Sequence, residues 1–174
     1  MGRDKGLMEK DGMVWARYMG DKLERQGLRV IYSVREAQLA AYTAAMPGAS
    51  FVVDDPVLDA VQGPLKGLLS VHERYPLTDL LLLGCDMLDM DEATIAQLID
   101  RYEAGVAFFY AYKEGVEFWQ PLCAIYRRKG LAGLSLAILE GRQDVLSLQM
   151  LLRRGSTEDA GEADWGPFKN YNTL

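Results

Sequence analysis

Histidine and cysteine are scarce in this sequence, whose 174 residues include one histidine and two cysteines. Cys85 and Cys123 lie in apolar segments without the spacing of metal ligands, so we expect both thiols to be reduced and buried. Such cysteine usage is typical of a reducing compartment, and we predict a cytoplasmic protein. His72 falls on the apolar face of a predicted helix, which argues against a histidine-based catalytic triad.

An excess of positive charge is also absent. The chain has 19 Lys and Arg against 25 Asp and Glu, so its net charge is −6 and its isoelectric point lies near 4.9. Because non-specific binding to nucleic acid needs a basic surface, we predict no nucleic-acid partner. An anionic substrate would have to meet a local cationic group or a metal ion.

Long apolar runs are missing as well. Segments such as Leu80–Leu83 fall far short of the roughly 20 apolar residues of a membrane-spanning helix, and no apolar stretch of a secretion signal follows Lys5. We therefore predict no membrane segment. The composition is that of an ordinary globular protein, 49% apolar and 25% charged, and it predicts one domain over residues 1–174. We expect this domain to be a monomer.

Segments of strand and helix periodicity alternate along the chain. Asp11 is placed to cap the first helix, which carries Trp15 and Met19 on one face. The alternating order, with short loops, predicts an α/β fold of three layers, in which helices cover both faces of a mostly parallel sheet. The predicted strands are 29–34, 50–53, 79–84, 106–112 and 118–127, and the predicted helices include 35–46, 129–140 and 146–154.

Carboxylates follow two of the predicted strands. Asp54 and Asp55 come after one strand, and Cys85 and Asp86 come after another. Right-handed crossovers bring the carboxyl ends of parallel strands to one edge, where ligands bind, and Mg²⁺ beside phosphates takes one or two carboxylates. The alternative is that these aspartates cap turns or helices. For Asp54 taken by itself we favour the capping role. For Asp86 we leave both the capping role and the metal-binding role open, and we predict that Asp89 caps the next helix.

Glycines and a lysine frame two further candidate contacts. Gly63 and Gly67 stand at the start of a helix, where backbone can approach a ligand and the helix terminus favours anions. Spacing alone favours a simple loop-to-helix turn at this point. Lys5 lies in a glycine-rich stretch and could neutralise a phosphate as a point charge. An exposed terminal lysine is the commoner case.

Two polar segments near the end of the chain complete the candidates. Gln120 and Pro121 interrupt a predicted strand, which indicates an edge position or a bulge. Asn170 and Asn172 alternate with a period of two, so both would face the same side of an extended segment. A polar surface strand is the alternative for the asparagines.

The combination of motifs, in order, resembles a known family over essentially the whole chain. The quoted stretches are "MGRDKGL", "DGMVW", "VVDDPV", "GPLKGLLS", "LLLLGCDM", "FWQPLCAIYRR", "GRQDVLSLQMLL" and "FKNYNT". They resemble the molybdenum cofactor guanylyltransferases, the MobA-type members of the nucleotidyltransferase superfamily. Cytidylyltransferase relatives share the opening signature and the strand-end aspartate but match "GPLKGL" and "FKNYNT" less well.

The resemblance implies a Rossmann-like nucleotidyltransferase domain and a role for each matching residue. Lys5 and Asp86 would be catalytic, and Asp86 would carry Mg²⁺, the implied cofactor. The implied nucleotide-binding residues are Gly2, Lys5, Asp55, Gly63, Gly67 and Asp86, and the implied molybdopterin-binding residues are Gln120, Pro121, Asn170 and Asn172.

The reaction implied by the resemblance joins GMP from GTP to molybdopterin and releases pyrophosphate. Two polyanions must meet, so a metal ion and a lysine are needed to screen their repulsion. A phosphate nucleophile is already ionised and needs no general base, which agrees with the lack of a usable histidine. GTP and molybdopterin would be the substrates, with transient contacts to proteins that supply molybdopterin or accept the product. The alternatives are a cytidylyl- or sugar-nucleotidyltransferase on the same fold and a non-catalytic nucleotide- or pterin-binding homologue.

The sequence departs from the family at its amino terminus. Members open with a buried strand and a Leu-Ala-Gly-Gly loop, of whose signature only Met1-Gly2 remains here. Loss of a central strand would leave two sheet edges unpaired inside the core. We favour a fragment or a misplaced start over a naturally shortened, inactive homologue. If the chain folds as it stands, we expect a gap or a repair in the sheet, or another chain in the vacant place.

Overall fold

The structure of the protein is a computed structural model that describes residues 4–58, 61, 63–141 and 147–171. Its first half alternates short strands with helices, beginning after a single 3₁₀ turn at Lys5–Leu7. The elements of this half are β1 (Glu9–Lys10), β2 (Met13–Val14), α1 (Trp15–Arg25), β3 (Tyr32–Val34), α2 (Glu36–Ala45), β4 (Phe51–Val53) and α3 (Gly63–Arg74).

The second half contributes the longer strands. They form a sheet in the order β5, β7, β6, β8. The elements of this half are β5 (Leu80–Leu83), α4 (Glu92–Ala104), β6 (Phe109–Glu114), β7 (Phe118–Tyr126), α5 (Arg128–Leu139), α6 (Leu148–Arg154) and β8 (Thr157–Asp159).

A hairpin precedes the first helix. β1 and β2 pair antiparallel, and the two residues between them, Asp11 and Gly12, have φ angles of 54° and 79°. Positive φ at both central positions is the requirement of the tightest hairpin turns, which Asp-Gly meets well. The predicted capping role of Asp11 is therefore wrong, because Asp11 lies in this turn and α1 begins at Trp15.

Helices cover both faces of the four-stranded sheet, so the predicted α/β class is confirmed. Alternate residues of β6 pack in two different hydrophobic clusters. Phe109 packs in one cluster with residues of α3, α5 and α6. Tyr110 and Tyr112 pack in a second cluster with residues of α1 and α4. This division follows from the period of two of a strand, which sends successive side chains to opposite faces.

One strand of this sheet runs against its neighbours. β7 is antiparallel to both β5 and β6, whereas β6 and β8 are parallel. The link from β6 to β7 is a tight turn with Gly115 at a φ of 61°, and a connection that short can join only antiparallel strands. The expectation that every strand ends at the same edge therefore fails for β7, whose amino-terminal half lies beside the carboxyl end of β5.

Of the outcomes expected for the sheet, a gap is the one found among the described residues. β3 and β4 form a separate parallel pair, while β5 is paired with β7. Within residues 4–58, 61, 63–141 and 147–171, β3 and β5 each have a strand neighbour on one side only. The molecule therefore contains two sheet edges without strand partners among the described residues.

Buried polar groups are few in the described part of the chain. His72 is 3% exposed, so its predicted packing on an apolar helix face is confirmed. Cys123 is buried and Cys85 half-buried, and both are free thiols.

None of the described helices combines the length and apolar character needed to cross a membrane.

Candidate active site

The amino-terminal turn is fixed to α2 by one aspartate. The Asp4 carboxylate accepts hydrogen bonds from the Tyr42 hydroxyl at 2.8 Å and from the Gln38 amide nitrogen at 2.5 Å. It also accepts from the backbone N–H of Gly6 at 3.2 Å, which caps the turn. Burial raises the pKa of Tyr42, and the hydrogen bond to Asp4 raises it further. The hydroxyl therefore stays protonated and remains a donor to Asp4.

Lys5 projects from this turn onto Asp86. Its Nζ lies 2.8 Å from Oδ2 of Asp86, and the two side chains are 33% and 14% exposed. Asp86 lies three residues beyond the end of β5, on the turn in which Met87 N–H donates to the carbonyl of Gly84. The two residues predicted to be catalytic are thus brought together at the carboxyl end of a strand.

A buried lysine supports the loop that carries Asp86. Nζ of Lys22 donates to the carbonyls of Leu88 at 2.8 Å and Met90 at 2.6 Å. Lys22 is 7% exposed, and burial lowers its pKa. Sequence reasoning missed this residue, although it stands seven residues after Trp15, on the buried face of α1.

The carboxyl-terminal segment reaches the same loop. The backbone N–H of Tyr171 donates to the carbonyl of Asp86 at 3.0 Å, and its hydroxyl donates to Asp89 at 2.5 Å. Asn170 is exposed and adjacent to this anchor. Asp89 was predicted to cap α4, and that prediction is wrong because Asp91 accepts from the N–H of Thr94 at 2.6 Å instead.

Gln120 and Pro121 lie at this edge because β7 runs in reverse. The N–H of Gly84 donates to the carbonyl of Leu122 at 2.8 Å, which brings this part of β7 next to the Asp86 turn. The β6–β7 pairing changes register between Ala111 and Lys113, so the bulge predicted from Pro121 is confirmed. The alternative of an edge strand is wrong, since β7 lies between β5 and β6.

The glycine turn lies beside the end of β3. A side chain at Gly67 would come within 2.5 Å of Oγ of Ser33, so glycine allows α3 to approach β3 closely. Ser33 Oγ stands 3.5 Å from Oδ1 of Asp54, and burial raises the pKa of Asp54. Gly63 begins α3 with a φ of 62°, a conformation that favours glycine.

Asp55 stabilises the turn in which it lies. Its Oδ1 accepts from the N–H of Val57 at 2.8 Å, and its N–H donates to Oγ of Ser70 at 2.8 Å. These are the contacts of a turn-capping aspartate. Neither of these two contacts joins Asp55 to the pair of Lys5 and Asp86, so its predicted role at the nucleotide remains a prediction.

The charges around Asp86 bear on thiol chemistry and on metal binding at this site. Burial, together with the charges of Asp86 and Asp4, raises the pKa of Cys85 to about 11, so its thiol is not a ready nucleophile. In the part of the chain that the structure describes, no group of three or more His, Cys, Asp or Glu could hold a metal ion. A single carboxylate such as Asp86 could share Mg²⁺ with phosphates and water, so the metal-binding role of Asp86 remains a prediction.

Space beside Asp86 is kept open by a glycine. A side chain at Gly84 would lie 3.2 Å from Oδ1 of Asp86, whereas Lys5 contacts Oδ2. One oxygen of the carboxylate is thus paired with a lysine and the other faces the backbone of the turn. Gly2 and Asn172 lie outside the described residues.

The chain is similar to known proteins in both sequence and structure. The sequence profile of the MobA-like NTP transferase domain matches residues 1–157. A molybdenum cofactor biosynthesis bifunctional protein of Synechocystis sp. is 24% identical over 126 residues, which are 72% of this chain and 35% of that relative. The chain thus spans about a third of the length of this curated relative.

Solved structures share the fold at low sequence identity. The molybdopterin-guanine dinucleotide biosynthesis protein A of Archaeoglobus fulgidus superposes with a TM-score of 0.67 at 18% identity, over 90% of this chain and 74% of that one. A protein of Aquifex aeolicus superposes with a TM-score of 0.62 at 15% identity, over 100% of this chain and 89% of that one.

Proposed function

Because this chain belongs to the family of MobA-like NTP transferase domains, we propose that it transfers GMP from GTP to molybdopterin and releases pyrophosphate. The observation that carries the proposal is the contact of Lys5 with Asp86 at the carboxyl end of β5. A cation and a carboxylate at the ligand edge of an α/β sheet suit a reaction between two phosphate-bearing molecules.

The names of the relatives support the choice of substrates. The relative from Synechocystis sp. is named for molybdenum cofactor biosynthesis, and the structure from Archaeoglobus fulgidus is named for molybdopterin-guanine dinucleotide biosynthesis. The motifs "GPLKGL" and "FKNYNT" favour the same choice over a cytidylyltransferase.

The chemistry is an in-line displacement at phosphorus. An oxygen of the terminal phosphate of molybdopterin attacks the α-phosphorus of GTP, the bond to the bridging α–β oxygen breaks, and pyrophosphate leaves with that electron pair. The attacking phosphate is ionised at neutral pH, so no residue has to remove a proton. Positioning and charge stabilisation are what this chain has to supply.

Lys5 and Asp86 have different electrostatic roles in this proposal. The ammonium group of Lys5 turns from Asp86 to the phosphates and offsets part of their charge. Asp86 would hold Mg²⁺, which when bound supplies further positive charge at the phosphate oxygens. The tie of Asp4 to Tyr42 and Gln38 keeps Lys5 at this position before substrate arrives.

The acceptor binds beside the Asp86 turn in this proposal. Asn170 is exposed and directly precedes Tyr171, whose backbone N–H donates to the carbonyl of Asp86. Gln120 and Pro121 approach from β7 through the link between Gly84 and Leu122. These residues would orient the pterin while its phosphate faces the nucleotide.

The test is release of pyrophosphate from GTP, molybdopterin and Mg²⁺ in the presence of the purified chain. Asp86→Asn keeps the shape of the side chain but removes its charge, and we expect it to lower the rate by about a hundredfold or more. Asp100→Asn, at an exposed carboxylate on α4, is the matched control and should leave the rate unchanged.

Two results would contradict the proposal. One is metal-dependent turnover in Asp86→Asn equal to that of the unmodified chain, which would remove Asp86 from its role. The other is tighter binding of CTP than of GTP in a direct titration, which would favour a cytidylyltransferase.

A further inference from the structure

The amino-terminal part of β7 extends beyond the strand beside it. β5 ends at Leu83, which stands opposite Cys123 on β7. One residue further, the N–H of Gly84 donates to the carbonyl of Leu122, and the chain then enters the turn that carries Asp86. In the part of the chain that the structure describes, the residues of β7 before Leu122 therefore have no strand beside them on the β5 side.

An amide side chain pairs with β7 where β5 has ended. The N–H of Trp119 donates to Oε1 of Gln149 at 3.0 Å, and Nε2 of Gln149 donates to the carbonyl of Trp119 at 3.0 Å. A primary amide carries both an acceptor oxygen and donor N–H groups. Gln149 therefore bonds both backbone groups of one residue, as a residue of a neighbouring antiparallel strand does.

A tyrosine hydroxyl makes a similar contact two residues later. Pro121 has no N–H to donate, and its carbonyl accepts from the hydroxyl of Tyr126 at 2.8 Å. Tyr126 is buried, and burial raises its pKa, so the hydroxyl stays protonated and remains a donor. The backbone on both sides of Gln120 is thus held by side chains.

The helix α6 holds Gln149 in place. Ser147 caps this helix by accepting from the N–H of Met150 at 3.2 Å, and three leucines of α6 are buried in the cluster that it shares with α3 and α5. Arg153 stands four residues after Gln149, on the same face of the helix, and its Nε donates to the carbonyl of Glu117 at 2.9 Å. Two positions of one packed helix therefore bond the backbone of the same short segment of chain.

The segment 119–121 depends on this support because its pairing with β6 is irregular. The register of β6 and β7 shifts between Ala111 and Lys113. The side-chain amide of Gln120 lies 3.4 Å from Oε2 of Glu114, which is longer than the usual N–H···O distance. An amide that holds both backbone groups of Trp119 therefore limits how far the two residues after it can shift.

We propose that Gln149 is a positioning residue for the acceptor, because it fixes the segment 119–121 beside the turn that carries Asp86. This inference rests on the proposed function, in which Gln120 and Pro121 orient the pterin. A contact surface that is already rigid loses less conformational entropy when a ligand binds. Gln149 thus strengthens acceptor binding without touching the acceptor, and it has no part in binding GTP beside Lys5.

The test replaces the amide by an apolar side chain of similar length. Gln149→Met removes both bonds to Trp119, and methionine and glutamine are similar helix formers, so α6 itself should persist. We expect the KM for molybdopterin to rise about tenfold and the KM for GTP to change by less than about twofold. The Kd for molybdopterin, measured by calorimetric titration without nucleotide, should rise by the same factor. An unchanged Kd would overturn the proposal.

A matched variant on the same helix separates positioning from a general loss of stability. Leu151 is buried on α6, so Leu151→Val lowers the Tm by removing a methylene group but keeps both bonds of Gln149. We expect this variant to bind molybdopterin as the unmodified chain does. Equal weakening of molybdopterin binding in Leu151→Val and Gln149→Met would contradict a positioning role.

Hydrogen exchange reports on the segment without any substrate. The amide of Trp119 is bonded to Gln149, whereas the amide of Gly84 is bonded to Leu122. In Gln149→Met we expect the amide of Trp119 to exchange about tenfold faster or more, and the amide of Gly84 to keep its rate. Unchanged exchange at Trp119 would also overturn the proposal.

The proposed function and the role of Gln149 fail in different ways. An unmodified chain that does not bind molybdopterin would overturn the transferase function and, with it, the acceptor that Gln149 serves. An unmodified chain that binds molybdopterin no more tightly than Gln149→Met would overturn the role of Gln149 alone.

Discussion

At the scale of single residues, Lys5 and Asp86 neutralise each other while no phosphate is bound. Their 2.8 Å contact forms because Asp4 anchors the turn that carries Lys5 and because Asp86 lies in the turn that follows β5. In the proposed reaction an arriving triphosphate would compete with this carboxylate for the lysine, so substrate binding would require an exchange of partners. Asp86 would then be available to hold a divalent cation.

His72 makes the stability of the fold depend on pH. It is 3% exposed, and within the described residues its Nδ1 has no hydrogen-bond partner. Burial lowers its pKa in the folded state, so below about pH 6.5 the unfolded chain binds the proton more readily than the folded chain. This contribution to stability is present above that pH and is lost as pH falls toward the lowered pKa.

We expect the free energy of unfolding to fall more steeply with acidification in the unmodified chain than in His72→Leu. The difference in slope is at most about 1.4 kcal/mol per pH unit, and urea denaturation between pH 7.5 and 5 measures it. His72→Leu removes the titrating group, so its remaining slope reports the carboxylates. Equal slopes in the two proteins would show that His72 keeps an ordinary pKa.

Side chains that support the site were harder to predict than the charged pair. Lys5, Asp86 and Gln120 stand in motifs that resemble a family, and the structure places them along one edge. Lys22 was missed because a lysine in an amphipathic helix is ordinarily a solvated residue. Only the tertiary structure shows that the Lys22 ammonium group donates hydrogen bonds to the carbonyls of Leu88 and Met90 instead of to water.

At the scale of elements, the amino-terminal turn depends on one glycine. A side chain at Gly6 would come within 2.1 Å of the Tyr42 hydroxyl oxygen, which also bonds Asp4. We expect Gly6→Ala to displace the turn from α2 and to lower the free energy of unfolding by about 1–3 kcal/mol, measured by urea denaturation. Displacement of the turn would also move Lys5 away from Asp86.

Gly133→Ala is the matched control for this substitution. Gly133 lies inside α5, and a side chain there would meet no atom within 4 Å. Alanine is the better helix former, so we expect this variant to be stabilised by about 0.5–1 kcal/mol. A Gly6→Ala protein as stable as the control would mean that Tyr42 moves aside without cost.

Among the elements, the longest periodic segments were predicted best. Helices α2 and α5 lie within a residue of their predicted bounds. The β1–β2 hairpin was missed, because Asp11-Gly12 was treated as a cap rather than as the Asp-Gly turn that it is. The direction of β7 was missed because strand periodicity carries no information about orientation, whereas the short turn at Gly115 does.

At the scale of the whole molecule, the β3–β4 pair and the four-stranded sheet differ in size. β3 and β4 contribute three residues each to an isolated pair, whereas β7 extends over nine residues between two neighbours. A two-stranded sheet is marginal without support from packed helices. We infer that the β3–β4 pair is the less stable part of the fold.

Native-state hydrogen exchange checks this inference. The amides of Tyr32 and Asp54, bonded within the β3–β4 pair, are expected to exchange at least about tenfold faster than the amides of Gly84 and Ala160, bonded within the larger sheet. Faster exchange at Tyr32 and Asp54 would show that the β3–β4 pair opens while the rest of the molecule stays folded. Equal protection of all four amides would show that the helices bind the two sheets into one cooperative unit.

The sequence by itself determined the α/β class and the candidate residues at strand ends, because periodicity and motif order are local properties of the chain. Tertiary structure alone decided which of those residues meet. Lys5 and Asp86 are 81 positions apart, and their contact depends on Asp4 and Tyr42 fixing one turn and on β5 placing the other. The reversal of β7 likewise brings Gln120 to this edge, since strand direction follows from pairing and connection rather than from composition.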